Sequence, residues 1–409
     1  MKCRHCGAEL RMPFLDLGSA PPSNAYLTFE QLAAPETWFP LRLLVCESCW
    51  LVQTEDHTGR EALFTDDYAY FSSYSTSWLE HCRRYVGAMI ERFDLGPQSL
   101  VAEVAANDGY LLQYVQQAGI ACYGVEPTAG TAAAARAKGI TIVEQFFGVA
   151  LADELARQGR QADLMAANNV LAHVPDINDF VAGFARLLKP AGVVTFEFPH
   201  LLRMVLDNQF DTAYHEHYSY LSFSVVRRVL ASNGLTVFDV EEHPTHGGSL
   251  CVFAQRADTG RHGIASAVDA MSRCEVEAGM GTIGFYARFQ ACANRVKDDL
   301  YAFLIDMRRA GRTVAAYGAA AKGNTLMNYA GIRGDLIACV IDRNPAKQGK
   351  YMPGSRIPIV DEGWLTAKRP DYVLILPWNL SAEVMQQLEY IKAWGGCFVT
   401  AVPKLRCVA

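Results

Sequence analysis

Two pairs of cysteines constrain the fold of this chain most strongly. Cys3 and Cys6 form one C-x-x-C pair, and Cys46 and Cys49 form a second. Each such turn presents two thiolates to one ion, and two turns complete a tetrahedral four-cysteine zinc site. A segment of about 70 residues gains much of its folding energy from such a site. Four cysteine ligands leave no position for water or substrate, so we expect a structural Zn²⁺ and look elsewhere for chemistry; a redox pair or chance spacing is the alternative.

Length and composition predict a soluble protein of two or three domains. The chain has 409 residues, 51% of them hydrophobic, and a net charge of −6. A nucleic-acid partner is not expected, because such proteins usually carry a clustered basic surplus. No apolar run is long enough to span a membrane, and the first residues lack the apolar region of a secretory signal. We therefore expect a cytoplasmic location with no membrane partner, and the oligomeric state stays open.

Strand-like and helix-like segments alternate from Leu100 to about Phe253, which predicts a parallel sheet covered by helices. Long helical stretches follow at 257–310, and then a second α/β unit. The predicted fold is α/β in three domains. These are a small zinc domain at 1–70, a central Rossmann-like α/β domain at 71–256, and a second Rossmann-like α/β domain at 257–409.

A nucleotide site is predicted where the first strand of the central sheet ends. The strand VAEVAA runs into Asn107-Asp108-Gly109, and Glu126 ends the second strand, well placed to bind ribose hydroxyls. A ribose alone does not separate a nicotinamide dinucleotide from S-adenosylmethionine. The loop has one glycine where a dinucleotide needs G-x-G-x-x-G, which favours S-adenosylmethionine. An ordinary Asx turn capping a helix is the structural alternative.

Further residues fit the same pocket. Gln145 and Phe146 follow the third strand, where an aromatic ring could cover an adenine, and Asn169 ends the fourth. The predicted cofactor-binding residues are Glu103, Asn107, Asp108, Gly109, Tyr110, Glu126, Pro127, Gln145, Phe146 and Asn169.

A dense group of titratable side chains follows the strand GVVTFEF. In the sequence YHEHY, His217 offers a base, Glu216 a group that can tune it, and Tyr214 a phenol for a developing oxyanion. A structural cluster, or a metal site based on the H-x-H spacing, remains an alternative. His173, just beyond the fourth strand, is by itself more typical of a structural histidine.

Taken together, these blocks resemble the three-domain sugar C-methyltransferases, which methylate C3 of nucleotide-linked 4-keto-deoxysugars. The resemblance rests on the four cysteines, NDGYLL, VEP, YHEHYSY, HGGS, YGAAAKGN and DRNPAKQGKYMPG in this order. It implies that the domain at 71–256 is a class I methyltransferase domain that binds S-adenosylmethionine as cofactor, and that the domain at 257–409 binds a nucleotide-linked sugar as partner. It also implies that Tyr214, Glu216 and His217 carry catalysis, with His217 as the base, and that His173 and Tyr70 line the active site. The chain departs from many methyltransferases in EVAAN, where alanines replace a glycine.

The turn at His246-Gly247 could approach a substrate or simply close a hairpin. In the C-terminal unit, backbone N–H groups of a strand–turn–helix element together with Lys322 could hold a pyrophosphate, although a domain kept only for packing is the alternative. The predicted substrate-binding residues are His246, Gly247, Gly318, Lys322, Asn324, Asp342, Lys347, Trp378 and Asn379. Three other functions stay open: a methyltransferase for a different keto substrate, an NAD-dependent sugar-nucleotide enzyme, and a non-catalytic zinc-knuckle binding protein.

Overall fold

A computed structural model describes residues 1–57 and 71–408. Tyr70, predicted to line the active site, lies outside the described residues. Elements are numbered along the described chain, and the first sheet is antiparallel with the order β1-β2-β3-β9. Its strands are β1 (Met12–Ala20), β2 (Phe39–Val45), β3 (Val52–Thr54) and β9 (Ser219–Tyr220). The strand β9 comes from the central part of the sequence, so the predicted zinc domain completes its sheet with a later segment.

The central sheet has seven strands in the order β10-β11-β8-β7-β4-β5-β6. All pairings are parallel except the two made by β11. The strands are β4 (Leu100–Val104), β5 (Ala121–Val125), β6 (Thr141–Val143), β7 (Ala162–Asn168), β8 (Leu188–Pro199), β10 (Leu235–His243) and β11 (Ser249–Arg256). The strand order reverses between β4 and β7, and α/β sheets bind ligands beyond the carboxyl ends of the strands at such a point.

Helices cover both faces of the central sheet, as the buried parallel strands require. They are α1 (Thr76–Phe93), α2 (Leu112–Gln117), α3 (Ala129–Ala137), α4 (Val149–Arg157), α5 (Ile177–Leu187) and α7 (Phe223–Ser232). The short helix α6 (Leu201–Leu206) instead packs into the core shared with β1, β2 and the C-terminal part. Helix α1 begins after Ser75, whose hydroxyl accepts from the Trp78 N–H at 3.3 Å, a typical N-cap. It buries Trp78, Cys82 and Met89 against the sheet. The helix therefore closes one side of the predicted cofactor crevice.

The C-terminal unit repeats this architecture. Helices α8 (Ser266–Glu277), α9 (Ile283–Tyr286) and α10 (Phe289–Arg309) lead into a six-stranded sheet with the order β14-β13-β12-β15-β16-β17, parallel except for β17. Its strands are β12 (Val314–Tyr317), β13 (Val340–Ile341), β14 (Ile359–Val360), β15 (Tyr372–Ile375), β16 (Cys397–Thr400) and β17 (Arg406–Val408). Its helices are α11 (Ala321–Tyr329), α12 (Gly363–Lys368) and α13 (Ser381–Gln387). The order reverses between β12 and β15, where α/β sheets commonly have a ligand-binding crevice, here the second crevice.

The cores join the three parts of the chain. One cluster of buried residues packs the cysteine knuckles against the central sheet, and another packs β1 and β2 against α10 and the C-terminal sheet. The part of the chain with the four cysteines therefore packs against both Rossmann-like parts. The predicted α/β fold is confirmed. No helix in the described ranges is long and apolar enough to cross a membrane.

Candidate functional site

The four predicted zinc ligands lie together. The Sγ atoms of Cys3 and Cys49 are 3.5 Å apart, as are those of Cys6 and Cys46, and all four lie within 4.8 Å of one another. Zn–S bonds of about 2.3 Å in a tetrahedron place sulfurs about 3.8 Å apart, so the donor set fits Zn²⁺. Within 1–57 and 71–408 this is the one cluster of metal-ligand side chains. The metal alternative for His215 and His217 therefore gains no support.

A cavity opens at the carboxyl ends of β4, β5, β6 and β7, at the reversal of the central sheet. Seven of the ten predicted cofactor residues line it: Asn107, Tyr110, Glu126, Pro127, Gln145, Phe146 and Asn169. His173 also lines it, which joins the cofactor crevice to the predicted acid–base cluster. The wall combines carboxylate and amide groups with aromatic rings, and this mixture fits the ribose, amino acid and adenine of S-adenosylmethionine.

Glu126 is buried, and its carboxylate organises the loop that follows β4. It accepts hydrogen bonds from the backbone N–H of Asn107 and of Thr128, both at 2.9 Å. A carboxylate oxygen has two lone-pair directions, so Glu126 can bind ribose hydroxyls while it holds the loop. The same side chain thus shapes the crevice and lines it.

Three residues of the crevice have left-handed backbone conformations. Ala105, Asn107 and Asn169 have φ of 60°, 48° and 54°. Asparagine tolerates this region, whereas alanine is strained there. Ala105, one of the alanines in EVAAN, therefore has the conformation that a glycine adopts easily.

The other three predicted cofactor residues lie outside the cavity wall. Gly109 has φ of 78°, and a Cβ there would meet Ile140 Cδ1 at 2.3 Å, so its glycine serves the packing of the turn. Asp108 is buried, with Lys138 Nζ 3.4 Å from its carboxylate. Glu103 is fully buried in the sheet, and burial raises its pKa well above the ordinary value. These positions indicate structural roles beneath the crevice.

The hydrogen bond of His217 leaves one ring nitrogen able to accept a proton. Its Nδ1 lies 3.0 Å from the carbonyl oxygen of Thr212, which can only accept, so Nδ1 carries the proton and Nε2 keeps a lone pair. Burial lowers the pKa of His217 well below its ordinary value, and His173 and Lys322 lower it further. The imidazole is therefore neutral at neutral pH and able to accept a proton at Nε2.

The rings of His173 and Tyr214 flank His217, with centroids 4.5 and 4.0 Å away. Burial also lowers the pKa of His173, to about 4, so this second imidazole is neutral too. The predicted acid–base group is thus assembled from the segment after β7 and the segment before β9, about 40 residues apart in sequence.

Glu216 is 2% exposed, and its carboxylate points to the N-terminal part of the chain. Its Oε1 accepts a hydrogen bond from Asn24 Nδ2 at 2.7 Å. The sequence suggested that Glu216 tunes His217, but the Nδ1 partner of His217 is the Thr212 carbonyl. The carboxylate and the imidazole therefore belong to the cluster through different contacts.

The turn at 245–247 connects β10 and β11, so the hairpin interpretation of this segment is correct. His246 has φ of 55°, and its Nε2 lies 3.1 Å from Asn169 Nδ2 beside the cofactor crevice. Gly247 has φ of 97°, and a Cβ there would meet the Trp378 ring at 2.5 Å. The glycine lets the C-terminal domain approach the central domain closely, and a substrate contact stays a prediction.

The second crevice carries predicted substrate residues at the corresponding strand ends. Asp342 follows β13 and accepts from the Ala319 N–H at 2.7 Å. Lys347 donates to the Ala319 carbonyl at 2.8 Å, so the loop after β12 is fixed by two charged side chains. Gly318 opens this loop with φ of 89°, and a Cβ there would meet Pro377 at 2.5 Å. Asn324 is buried, and neither polar atom of its side chain has a hydrogen-bond partner.

Lys322 extends from α11 towards the central domain. Its Nζ donates to Asn379 Oδ1 at 3.1 Å and to the His246 carbonyl at 3.3 Å, and it lies 4.5 Å from the Trp378 ring centre. Burial lowers its pKa to about 8, partly opposed by Asp211. The predicted phosphate-binding lysine therefore lies between the two Rossmann-like parts.

Asp211 belongs to this site and was missed by the sequence analysis. It is fully buried, its Oδ2 accepts from Trp378 Nε1 at 2.8 Å, and its Oδ1 has no hydrogen-bond partner. Burial raises its pKa to about 7. Its position three residues before YHEHY was the only sequence signal. Other wall residues that were missed are Ser72, Trp78, Thr128, Phe147 and Asn168.

Three protein-family models match the chain in succession. They describe a zinc binding domain at residues 3–64, a methyltransferase domain at 78–240 and a C-methyltransferase C-terminal domain at 244–403. The C-methyltransferase NovU of Streptomyces niveus is 34% identical over 408 residues, which covers 100% of this chain and 97% of NovU. These matches confirm the predicted zinc-binding and methyltransferase parts and S-adenosylmethionine as the cofactor.

Solved structures align with less of the chain. Magnesium protoporphyrin IX methyltransferase from Synechocystis, with bound S-adenosylhomocysteine, is 19% identical and covers 44% of this chain and 82% of its own, with a TM-score of 0.34. The PH0226 protein from Pyrococcus horikoshii is 12% identical and covers 46% and 95%, with a TM-score of 0.39. Both scores are too low to support an argument about the site.

Proposed function

Because the chain belongs to the family of S-adenosylmethionine-dependent C-methyltransferases, we propose that its substrate is a nucleotide-linked 4-keto-deoxysugar, methylated at C3. The observation that carries this proposal is the state of His217, a neutral imidazole whose Nδ1–H is engaged by Thr212 and whose Nε2 keeps its lone pair. Methylation at carbon needs such a base, whereas methylation of a hydroxyl starts from an oxygen that already has a lone pair.

The chemistry divides among the residues of the cluster. A 4-keto group acidifies the C3–H bond, and His217 Nε2 takes that proton, which leaves an enolate on the sugar. A phenol or imidazole N–H from Tyr214 or His173 supports the enolate oxygen. When bound, S-adenosylmethionine supplies the electrophilic methyl group, which replaces the lost proton on C3. This sequence of steps needs no catalytic metal, in keeping with a structural role for the zinc.

Residues at the second crevice support the proposal that the substrate is bound through a nucleotide. Lys322 donates to Asn379 and to the His246 carbonyl, between the two Rossmann-like parts, and the buried amide of Asn324 has no hydrogen-bond partner. Together with the N–H groups at the start of α11, these groups could bind a diphosphate and sugar hydroxyls. Asp342, Lys347, Trp378 and Asn379 are at the surrounding strand ends. We infer that this part holds the sugar nucleotide, with the chain divided at 1–70, 71–256 and 257–409 as proposed from the sequence.

The test is a turnover assay with S-adenosylmethionine and a panel of nucleoside-diphosphate sugars. We expect methylated product, detected by mass spectrometry, from 4-keto-deoxysugars and none from the matching 4-hydroxy sugars, which cannot enolise. Free keto-sugars without the nucleotide test whether the nucleotide is needed for turnover. Calorimetry with NAD tests the alternative that the protein binds a dinucleotide. Methylation of the 4-hydroxy sugars at equal rates, or of non-sugar ketones only, would contradict the proposal.

A further inference from the structure

The N-terminal segment 21–27, which follows β1, lies where the three parts of the chain meet. Asn24 Nδ2 donates to Glu216 Oε1 at 2.7 Å, and the hydroxyl of Tyr26 donates to the Ala319 carbonyl at 2.6 Å. Both side chains are half-buried. The segment therefore contacts the acid–base cluster with one residue and the loop of the second crevice with another, two positions later.

The C-terminal part fixes this segment in place. Leu27 and Tyr351 exchange backbone hydrogen bonds of 3.0 and 2.8 Å, and a Cβ on Gly354 would lie 3.0 Å from Pro21. Lys347 Nζ lies 5.2 Å from the centre of the Tyr26 ring. The position of the segment is thus set by residues next to the proposed sugar-nucleotide crevice.

The other side of the zinc-binding part holds the acid–base segment directly. Strand β3 pairs with β9, which begins two residues after His217. Thr54 donates from its hydroxyl to the His217 carbonyl at 2.5 Å and from its backbone N–H to the Tyr218 carbonyl at 3.1 Å. The zinc-binding part therefore makes hydrogen bonds to the backbone of the acid–base segment through β3, and to the Glu216 carboxylate through Asn24.

We propose that Asn24 is a positioning residue for the reaction, through which the zinc-binding part sets the orientation of the Glu216 carboxylate. This rests on the proposed function. A carboxylate that is 2% exposed has little access to water, so a donor at 2.7 Å both stabilises its charge and fixes its rotamer. Since Tyr26 ties the same segment to Ala319, the geometry of Glu216 is linked to the crevice that takes the substrate.

The experiment compares Asn24→Asp with Asn24→Gln in the full-length, zinc-loaded protein. Asp keeps the shape of Asn24 but replaces the donor by a second carboxylate, whereas Gln keeps an amide donor on a longer side chain. We expect kcat to fall about tenfold to a hundredfold in Asn24→Asp, as for loss of a hydrogen bond to a charged group, and less in Asn24→Gln. The KM for the sugar nucleotide and the affinity for S-adenosylmethionine should stay within about twofold of the wild type.

Asn178→Ala is the matched control. Its amide donates to the His5 carbonyl at 2.9 Å, so it also anchors the zinc-binding part, but away from Glu216. We expect its kcat to match the wild type. If Asn24→Asp does not fold, Asn24→Ala removes the donor without adding charge, and the same comparison is made with it.

An unchanged kcat in Asn24→Asp, or equal losses in the Asp and Gln variants, would overturn the inference, since the donor would then not matter. A loss as large in Asn178→Ala would also overturn it, because any weakening of the zinc-binding part would suffice. These outcomes differ from failure of the proposed function, in which the wild type itself binds S-adenosylmethionine but methylates none of the keto-sugars.

Discussion

The central and C-terminal sheets form the loop after their first strand in the same way, but with different charged residues beside it. In both, the residue after the first strand has a positive φ, 60° at Ala105 and 89° at Gly318. In both, a carboxylate after the second strand accepts a backbone N–H from the first loop, through Glu126 in one and Asp342 in the other. Two cations, Lys322 and Lys347, lie at the loop of the second crevice, whereas Lys138, beside the first loop, pairs with Asp108 outside the cavity wall.

This difference in charge indicates which ligand each crevice would bind. S-adenosylmethionine carries a positive sulfonium, and the wall of the central cavity contains no lysine or arginine among the described residues. A sugar nucleotide carries a negative diphosphate, which favours helix N-termini and cations. If the proposed function holds, one architecture used twice brings the methyl donor and an anionic substrate together near His217.

Removing the metal should damage both crevices at once. Cys46→Ser, or extraction of zinc by a strong chelator, should unfold the zinc-binding part, because the binding free energy of a structural zinc is also folding free energy, roughly 10–16 kcal/mol in zinc-finger peptides. Since this part packs against both Rossmann-like sheets, activity should be lost entirely. Circular dichroism and elemental analysis check this, with Cys407→Ser, an exposed cysteine, as the control. Undiminished stability without zinc would contradict it.

His217→Asn should slow the reaction without weakening ligand binding in the crevices. We expect kcat to fall by about 10²–10⁴-fold, the usual contribution of a positioned base, with unchanged affinity for S-adenosylmethionine. Exchange of the C3 hydrogen in D2O, measured with S-adenosylhomocysteine in place of the methyl donor, should disappear in parallel. Because burial lowers the pKa of His217, the wild-type base should stay unprotonated as the pH falls below 6.5, its ordinary value. Exchange at the wild-type rate would assign the base to another residue, His173 or Tyr214 first.

Paired substitution of the two carboxylates tests whether each crevice has its own ligand. Glu126→Ala should weaken binding of S-adenosylmethionine by about 1.5–3 kcal/mol, as for a charge-assisted hydrogen bond lost from a pocket. Asp342→Ala should leave this affinity unchanged and raise the KM for the sugar nucleotide. Calorimetry and steady-state kinetics measure both. Equal loss of cofactor affinity in the two variants would break the comparison.

Lys322→Met should weaken binding of the anionic ligand and leave binding of the cofactor unchanged. Met keeps an apolar stem without the charge, and we expect the KM for the sugar nucleotide to rise about tenfold, with S-adenosylmethionine affinity unchanged. Since the pKa of Lys322 is lowered to about 8, the wild type should lose this cation, and affinity for the anion, as the pH rises through 8. The Met variant should lack this pH dependence. An unchanged KM would remove Lys322 from the substrate site.

The smallest expected effect concerns the equivalent residues after the two first strands. Ala105→Gly should stabilise the protein by roughly 0–1 kcal/mol, because relief of left-handed strain slightly exceeds the entropy cost of glycine. Gly318→Ala should destabilise it by about 1–3 kcal/mol, since its Cβ would also meet Pro377. Thermal unfolding of both variants checks the opposite signs. A destabilised Ala105→Gly would show that the alanine methyl group contributes to the cavity wall.

The sequence predicted most of what depends on local pattern. The cysteine spacing predicted the metal cluster, and the position of Glu126 after an apolar strand placed it at the crevice, because parallel strands end on one edge of a sheet. It does not give the direction of a side chain. Glu103 and Asp108 were predicted to bind the cofactor from their place in the motif, but they lie outside the cavity wall, which a one-dimensional pattern does not distinguish.

The sequence by itself determined the α/β class, the four-cysteine cluster and the blocks that carry the chemistry, since these depend on periodicity, spacing and residue type. Only the tertiary structure decided which groups meet. It joined Asn24 to Glu216 across 192 residues and Trp378 to Asp211 across 167, and it turned the Nδ1 of His217 to the Thr212 carbonyl. Such contacts depend on how the three parts pack, because burial and the direction of a hydrogen bond arise only when the distant segments are side by side.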